Sequence, residues 1–419
     1  MSMGAGMPAD GLASARRSAV RGRAGVDHLI VGAGPVGVAL AGELARRRSR
    51  ARILLVDQET APAFHKPGHG SGVLRQGMGY ARGSQVSRLF QEGHEEIHAI
   101  CQAQGIEIDP RGELFVARDE AELGVLTWLA LQGSGQGIDA HLLGRAGLRA
   151  LEPEVEGVAA LHVPATAIAD CRGLMSHLLA EAVSRGVELR FGARLGALRR
   201  EEGLHWSCLL DGEPIDAGQV TVCSGLEAAR IARMQGIGSD SGTRSLTRAR
   251  FVLPAARNRI SRALLSSVPA PGWRGPELRL FPAIGGAMTL EIGIGAAGRT
   301  HGDECEVAGH RRIADPSGWP ERWRQLLPGP LAVALERGGK ARLQADALGR
   351  ARQYLPGLDL SDMRDWTRIS RAGFVDADGC ALDDLLLGGN ADLLLLRAMP
   401  FSGTAAALPV ARLISEHVL

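Results

Sequence analysis

The chain has 419 residues, 45% hydrophobic and 22% charged, with a net charge of +2. That length is too great for one simple core, so two lobes are expected, in the composition range of an ordinary soluble protein. The balanced charge, with no long basic stripe interleaved with aromatics, argues against nucleic-acid binding, and no apolar run reaches the ~20 residues of a membrane span.

Residues 1–25 read as a disordered tail, with Arg16, Arg17, Arg21 and Arg23 in a Gly/Ala/Ser-rich setting. A targeting peptide is the lesser alternative, and the apolar core of a secretory signal is missing. Next comes His28-Leu-Ile-Val-Gly-Ala-Gly-Pro-Val-Gly37, an apolar strand running into Gly32, Gly34 and Gly37. A helix-like segment, 38–46, and a second apolar strand, 52–57, follow. The second strand ends on Asp57, 20 residues after Gly37, which is the spacing of a dinucleotide-binding βαβ unit. Each glycine has a separate task. Gly32 permits the tight turn, Gly34 lets a pyrophosphate approach the backbone, and Gly37 lets helix and sheet pack closely. The helix N-terminus offers N–H groups and a positive dipole end to phosphate, and Asp57 accepts from ribose hydroxyls. The bland alternative is a chance glycine turn in a chain with 56 glycines.

Further along, a Gly/His/Pro-rich stretch covers 64–75. The spacing of Val86, Leu89, Phe90, Ile97 and Ile100 predicts a helix from Ser84 to about Gln104. A strand is expected at 112–117 and helices at 119–132, from about Arg145, and from Cys171 to Arg185. Short strands follow at 187–190 and 193–195. The segment 219–225 reads as a strand ending on a small-residue turn, with a helix from about Glu227. Strands are expected again at 277–282, 287–294 and 391–397, then a loop over 398–404 and a final helix. The six cysteines, Cys101, Cys171, Cys208, Cys223, Cys305 and Cys380, form no CxxC pair and none sits beside a histidine at metal-ligand spacing. That argues against a metal site and a disulfide framework, and for a reducing, cytoplasmic setting.

Four local matches carry a family resemblance. They are the Gly32–Gly37 fingerprint with Asp57, the stretch Gly68-His-Gly-Ser-Gly-Val-Leu-Arg-Gln-Gly-Met-Gly-Tyr80, the turn Val222-Cys-Ser-Gly-Leu226, and Ser370-Arg-Ala-Gly373 with Arg397-Ala-Met-Pro-Phe-Ser-Gly-Thr404. On these the chain resembles FAD-dependent oxidoreductases of the D-amino-acid oxidase fold, most closely the L-2-hydroxyglutarate oxidase/dehydrogenase branch. The resemblance implies an α/β fold with an α+β second lobe, of the glutathione-reductase type. A discontinuous Rossmann-like FAD-binding domain would take residues 26–80, 146–240 and 365–419. A mixed-sheet substrate domain would take 81–145 and 241–364.

It also implies FAD as cofactor. Gly32, Gly34, Pro35, Gly37, Asp57 and Gln58 would line the first turn. Gly70, Ser71 and Gly72 would lie along the flavin and pyrophosphate, Leu195 main chain at the adenine, Ser224 and Gly225 at the diphosphate, and Gly403 and Thr404 at the flavin pyrimidine. The implied reaction is oxidation of a CH–OH group of a small carboxylated substrate by hydride transfer to flavin N5, with oxygen or a quinone as acceptor. Oxidation of a CH–NH group, as in an amine or amino-acid oxidase, and a redox-silent flavin-binding subunit are the alternatives. His69 is the candidate base, with a ribityl or backbone contact as its other reading and His65 nearby. Arg75 replaces a family histidine and reads as a carboxylate clamp or a structural arginine. Tyr80 lines the pocket or packs in the core. Two family positions differ: a histidine aligned with Leu280 in Leu280-Phe-Pro282, and an arginine aligned with Val375. Arg279 and Arg371 lie nearby and read as structural arginines or as replacements for the missing cations.

Overall fold

The computed structural model describes residues 25–62, 72–80, 82–201, 205–237, 242–254, 262–269, 278–284, 286–294, 329–375, 384–399 and 403–419. The first half of the chain runs β1 (Gly25–Val31), α1 (Pro35–Arg47), β2 (Ile53–Asp57), β3 (Val73–Leu74), α2 (Gln85–Gln104), β4 (Ile108–Asp109), β5 (Glu113–Ala117), α3 (Glu120–Gly135), β6 (His141–Gly144), α4 (Arg145–Leu151), β7 (Ala159–Val163), β8 (Ala167–Ala169) and α5 (Cys171–Ser184). The second half runs β9 (Glu188–Phe191), β10 (Leu195–Arg200), β11 (Trp206–Leu210), β12 (Glu213–Val222), α6 (Leu226–Met234), β13 (Gly242–Leu253), β14 (Leu264–Ser267), β15 (Leu278–Pro282), β16 (Met288–Ile294), α7 (Gly329–Arg352), β17 (Arg364–Val375), β18 (Leu386–Gly389), β19 (Leu393–Ala398) and α8 (Ala407–Val418).

A parallel core, β9-β2-β1-β12-β19, is drawn from the start, middle and end of the chain. Its strands read as continuous apolar runs because both faces are covered. Ile30, Ile53 and Leu55 face a helix layer of α1, α2, α5 and α8. Leu29, Val31, Leu54 and Val56 face the β10–β11 ribbon and α6. Among the described residues no helix is long and apolar enough to cross a membrane.

A second sheet has the order β17-β13-β16-β15-β14-β5-β7-β6, and a small third sheet, β3-β8-β4, lies between the two. Alternation along the second sheet separates two faces. One carries Leu114, Leu265, Leu280, Leu290 and Phe251 into a core with α4 and α7. The other carries Leu264 and Phe281 against Val73 of β3 and Ile168 of β8. That second face therefore looks toward the dinucleotide lobe.

Three segments sit elsewhere than the sequence reading assigns them. Helix α2 shares the core of the first lobe through Val86, Leu89, Phe90 and Ile97, although its residues fall in the expected substrate domain. Strand β7 pairs in the second sheet, between β5 and β6, and so does β17, against β13; both fall in the expected FAD-binding domain. Helix α2 matches the bounds its periodicity predicts to within one residue, and Ser84 caps it, its side chain accepting from the Ser87 N–H. The expected tail lies outside the described residues, save Gly25, which opens β1.

One buried group makes stability depend on pH. His28 of β1 is 2% exposed and bonds Thr221 Oγ1 through Nε2 at 2.8 Å. Burial pulls its pKa down from 6.5 to about 4. The unfolded chain therefore binds an extra proton between those values, and stability falls as pH drops from about 6.5 through about 4. The full loss is on the order of 3 kcal/mol. We expect thermal unfolding to lose this component on acidification, and a His28→Gln variant to show a flatter dependence over the same window. Equal pH slopes in the two proteins would contradict it.

Candidate functional site

The carboxyl ends of β1 and β12 lie side by side, Val31 in register with Val222. From there the chain leaves through α1 to β2 on one side and through α6 toward the β19 side on the other. A crevice opens at such a point, and ligands of open α/β sheets bind in it. The turns at its mouth are packed backbone on backbone. Gly32 has φ +108°, and a Cβ there would stand 2.8 Å from the Cys223 carbonyl. A Cβ on Gly37 would stand 1.9 Å from the Gly32 oxygen. The Cys223 N–H donates to the Val31 carbonyl at 2.7 Å.

Gly34 is the exception, since a Cβ there would meet nothing within 4 Å. The start of α1 thus faces open space, with Pro35 at its first position. Ser224, on the facing turn, has a buried Oγ with no hydrogen-bond partner among the described residues. A space ringed by a helix N-terminus and an orphaned hydroxyl fits a diphosphate. Burial pushes the Cys223 thiol up to about 12, so it stays neutral and does not repel that anion. Gly225, with φ +60°, opens α6.

Asp57 is set at the same mouth. One carboxylate oxygen accepts from the Ala33 N–H at 2.6 Å and the other from the Glu59 N–H at 2.9 Å. Both bonds fix its orientation while lone pairs remain for ribose hydroxyls. Gln58 is exposed and donates to Glu59. At the expected adenine end, the Leu195 carbonyl accepts from Arg230 Nη2 at 2.7 Å, and Glu227 holds Arg230 Nε at 2.6 Å. The carbonyl half of the expected main-chain contact is thus taken by the chain itself.

Gly72, with φ +70°, packs its backbone against Ala169 of β8. Gly403 and Thr404 lie in the turn before α8, which begins three residues later at Ala407. A Cβ on Gly93 of α2 would stand 1.9 Å from the Ala405 oxygen, so this mid-helix glycine lets α2 support the turn directly. Sequence reading passed over Gly93, although a glycine inside a helical pattern is itself a signal of close approach. His69, Gly70 and Ser71, with His65, lie outside the described residues.

Arg75 follows β3, and its partner is a protein carboxylate. Its Nε donates to Glu113 Oε2 at 2.6 Å and its Nη2 to Glu113 Oε1. Ser266 Oγ also donates to Glu113, at 2.6 Å. Glu113 is fully buried. Burial opposes the Arg75 charge, but Glu113 more than offsets this and raises the Arg75 pKa. The Nε–Nη2 edge is occupied by Glu113, which favours the structural reading of Arg75 over the carboxylate clamp. Tyr80 is half-buried, with its ring 5.2 Å from that of Phe90. Glu113 and Ser266 escaped sequence reading because neither belongs to a local motif.

Beneath Arg75 a polar row crosses the second sheet on the face turned to β3. Register places Ser266 beside Arg279, Arg279 beside Glu291, and Glu291 beside Arg250. Arg250 Nη2 donates to Glu291 Oε1 at 2.5 Å. Leu280, the position matched to the family histidine, points the other way into the α7-covered core. The residue of β15 that shares the lobe-facing side with Phe281 is Arg279. Arg371 and Val375 lie on β17.

Comparison with known proteins agrees with this geometry. A family model described as FAD dependent oxidoreductase (DAO) matches residues 27–417. L-2-hydroxyglutarate dehydrogenase of Escherichia coli strain K12 is 26% identical over 400 residues, covering 93% of this chain and 92% of the relative. The mitochondrial L-2-hydroxyglutarate dehydrogenase of Mus musculus is 23% identical over 410 residues, covering 92% and 87%. Among solved structures, L-alpha-glycerophosphate oxidase of Mycoplasma pneumoniae, with FAD bound, superposes with a TM-score of 0.73 at 17% identity, covering 94% of each chain. Glycine oxidase of Geobacillus kaustophilus does so with a TM-score of 0.69 at 18% identity, again covering 94% of each.

Proposed function

Given that the chain belongs to the DAO family of FAD dependent oxidoreductases, we propose that it oxidises the CH–OH group of a small carboxylated molecule, a 2-hydroxyacid. The observation that carries FAD binding is the crevice between Gly34 and Ser224, open at one glycine and lined by an orphaned hydroxyl. The observation that carries the substrate class is the full-length likeness to relatives named for a 2-hydroxyacid. FAD, when bound, supplies the acceptor for two electrons.

The chain does the rest. Gly32, Gly34, Pro35 and Gly37 present backbone to the diphosphate, with Ser224 and Gly225 opposite. Asp57 holds the ribose, and Gln58 lies beside it. The Leu195–Arg230 pair borders the adenine. Gly70, Ser71 and Gly72 run along the cofactor, and Gly403 and Thr404 bring N–H groups to its far end. His69 takes the hydroxyl proton, a role suited to a group that titrates near neutrality. Tyr80 borders the same pocket. Oxygen or a quinone receives the electrons. The free thiols of Cys101, Cys171, Cys208 and Cys223 support a reducing, cytoplasmic setting.

Oxidation of an amine is the second reading, favoured by the fold likeness to glycine oxidase. Anaerobic reduction of the purified yellow protein separates the two. We expect 2-hydroxyacids to bleach the flavin, and amino acids and secondary amines to leave it oxidised; the reverse pattern would transfer the assignment to amines. His69→Asn should retain FAD yet be reduced at least ~100-fold more slowly, whereas an unchanged rate would remove His69 from the chemistry.

A further inference from the structure

We propose that two copies of this chain pair edge to edge through β6, the end strand of the second sheet, about a two-fold axis at Leu142. The inference is independent of the reaction argued above. Three observations carry it.

The first is an edge without protection. Among the described residues β6 pairs only with β7, so its outer side presents a row of N–H and C=O groups ready to pair. Proteins blunt such edges with proline, lysine or a bulge. Residues 138–149 include neither proline nor lysine. The β6–β7 ladder keeps its register over all four pairs from His141 to Gly144. His141, Leu142 and Gly144 are exposed.

The second is apolar exposure at the same place. Leu142 is 46% exposed, and Leu151 at the end of α4 is exposed too. Leu143 packs on the α7-covered core and Ala140 on the α3 side. Alternation therefore turns Leu142 to the α3 side, where α3 leaves Trp128 and Leu131 exposed. Exposed apolar side chains gathered around one edge are a mark of a protein contact.

The third is self-complementarity, which selects the occupant. A two-fold axis through an antiparallel ladder sets one residue opposite its own copy and pairs the others symmetrically about it. Centred on His141, the pairing sets imidazole against imidazole. Centred on Leu143, it sets His141 against Arg145. Centred on Leu142, it sets leucine against leucine and Asp139 against Arg145 of the copy, once at each end. Asp139 and Arg145 are both exposed, and His141 Nε2 lies 2.9 Å from Asp139 Oδ1, orienting the carboxylate beside the strand. Opposite charges directly across a ladder favour pairing and like charges oppose it. Of the three registers only the one at Leu142 joins opposite charges, so the edge fits a second copy of this chain.

The test uses the full FAD-loaded chain. Light scattering during gel filtration should give a dimer, twice 44.2 kDa. Leu142→Arg sets two guanidinium groups at the axis and should weaken the dimer at least ~100-fold, with FAD uptake retained. Asp139→Arg and Arg145→Asp should each weaken it at least ~10-fold. Mixed together, these two variants should dimerise with each other, because both end contacts then join an arginine to an aspartate. Leu142→Cys should form a cross-link with diamide that wild type does not form, since Cα atoms opposed in an antiparallel ladder lie ~4.5–5.5 Å apart, within disulfide reach. A monomeric wild type would overturn the proposal, and so would a dimer that survives Leu142→Arg. A mixture of the two charge variants that stays monomeric would overturn the register and with it the choice of occupant. Monomeric protein that sediments with phosphatidylcholine vesicles would give the apolar surface to a lipid interface instead. If Leu142→Arg fails to fold, the charge variants and the cross-link still decide.

Discussion

Gly37→Ala is expected to abolish stable FAD uptake, with affinity falling at least ~100-fold, and to lower the stability of the cofactor-free protein by roughly 1–3 kcal/mol. The added Cβ would stand 1.9 Å from the Gly32 oxygen and 3.1 Å from its carbonyl carbon. Both are backbone atoms in a turn already pressed against Cys223 and Ser224, so no side chain can swing away. Relief requires α1 to move off the turn, which displaces the N–H groups that meet the diphosphate. Gly34→Ala is the instructive contrast. Its Cβ would enter open space, so the cofactor-free fold should be undisturbed while FAD is still excluded. Fluorimetric titration of apoprotein with FAD, beside thermal unfolding of both variants without it, separates the two. Wild-type FAD affinity in Gly37→Ala would refute the close-packing role of that glycine.

This turn was fully legible in the sequence, and the reason is physical. Strand, turn, helix and second strand are contiguous, so their chemistry is written within about thirty residues. Helix α2 was legible for the same reason: its apolar period and its Ser84 cap are local signals. Strands β7 and β17 pair in the second sheet, although the sequence reading put them with the FAD-binding segments, because sheet membership depends on partners far away in the chain. β17 pairs with β13, more than a hundred residues earlier. The choice between the two readings of Arg75, clamp or structural arginine, was closed to the sequence for the same reason. Its side chain invites a carboxylate, and the sequence offers no means of seeing that Glu113 supplies one across 38 residues. At β15 the match to family positions fell on Leu280, which enters the helix-covered core, whereas alternation turns Arg279 to the lobe-facing side with Phe281. A one-residue difference in a strand exchanges one face of the sheet for the other.

The Arg75–Glu113 pair yields the other large effect. Glu113→Ala should destabilise the fold by about 3–5 kcal/mol, because it strands a guanidinium whose side chain is only 19% exposed. It also removes the acceptor of Ser266 Oγ, leaving a second buried donor unsatisfied. Arg75→Leu should cost a comparable amount by removing the counter-charge of the fully buried Glu113. The double variant, with Arg75→Leu and Glu113→Leu, should recover most of the loss, since an apolar pair carries no desolvation penalty. Thermal unfolding of the two single variants and the double variant closes the cycle. Additive losses would mean that the two residues act independently, contrary to the bidentate contact. The pair joins the segment after β3 to strands β5 and β14 of the second sheet. The double variant should therefore regain stability but not the register of the Gly72–Tyr80 segment over that sheet, and FAD-loaded protein of this variant should stay slower than wild type in anaerobic reduction.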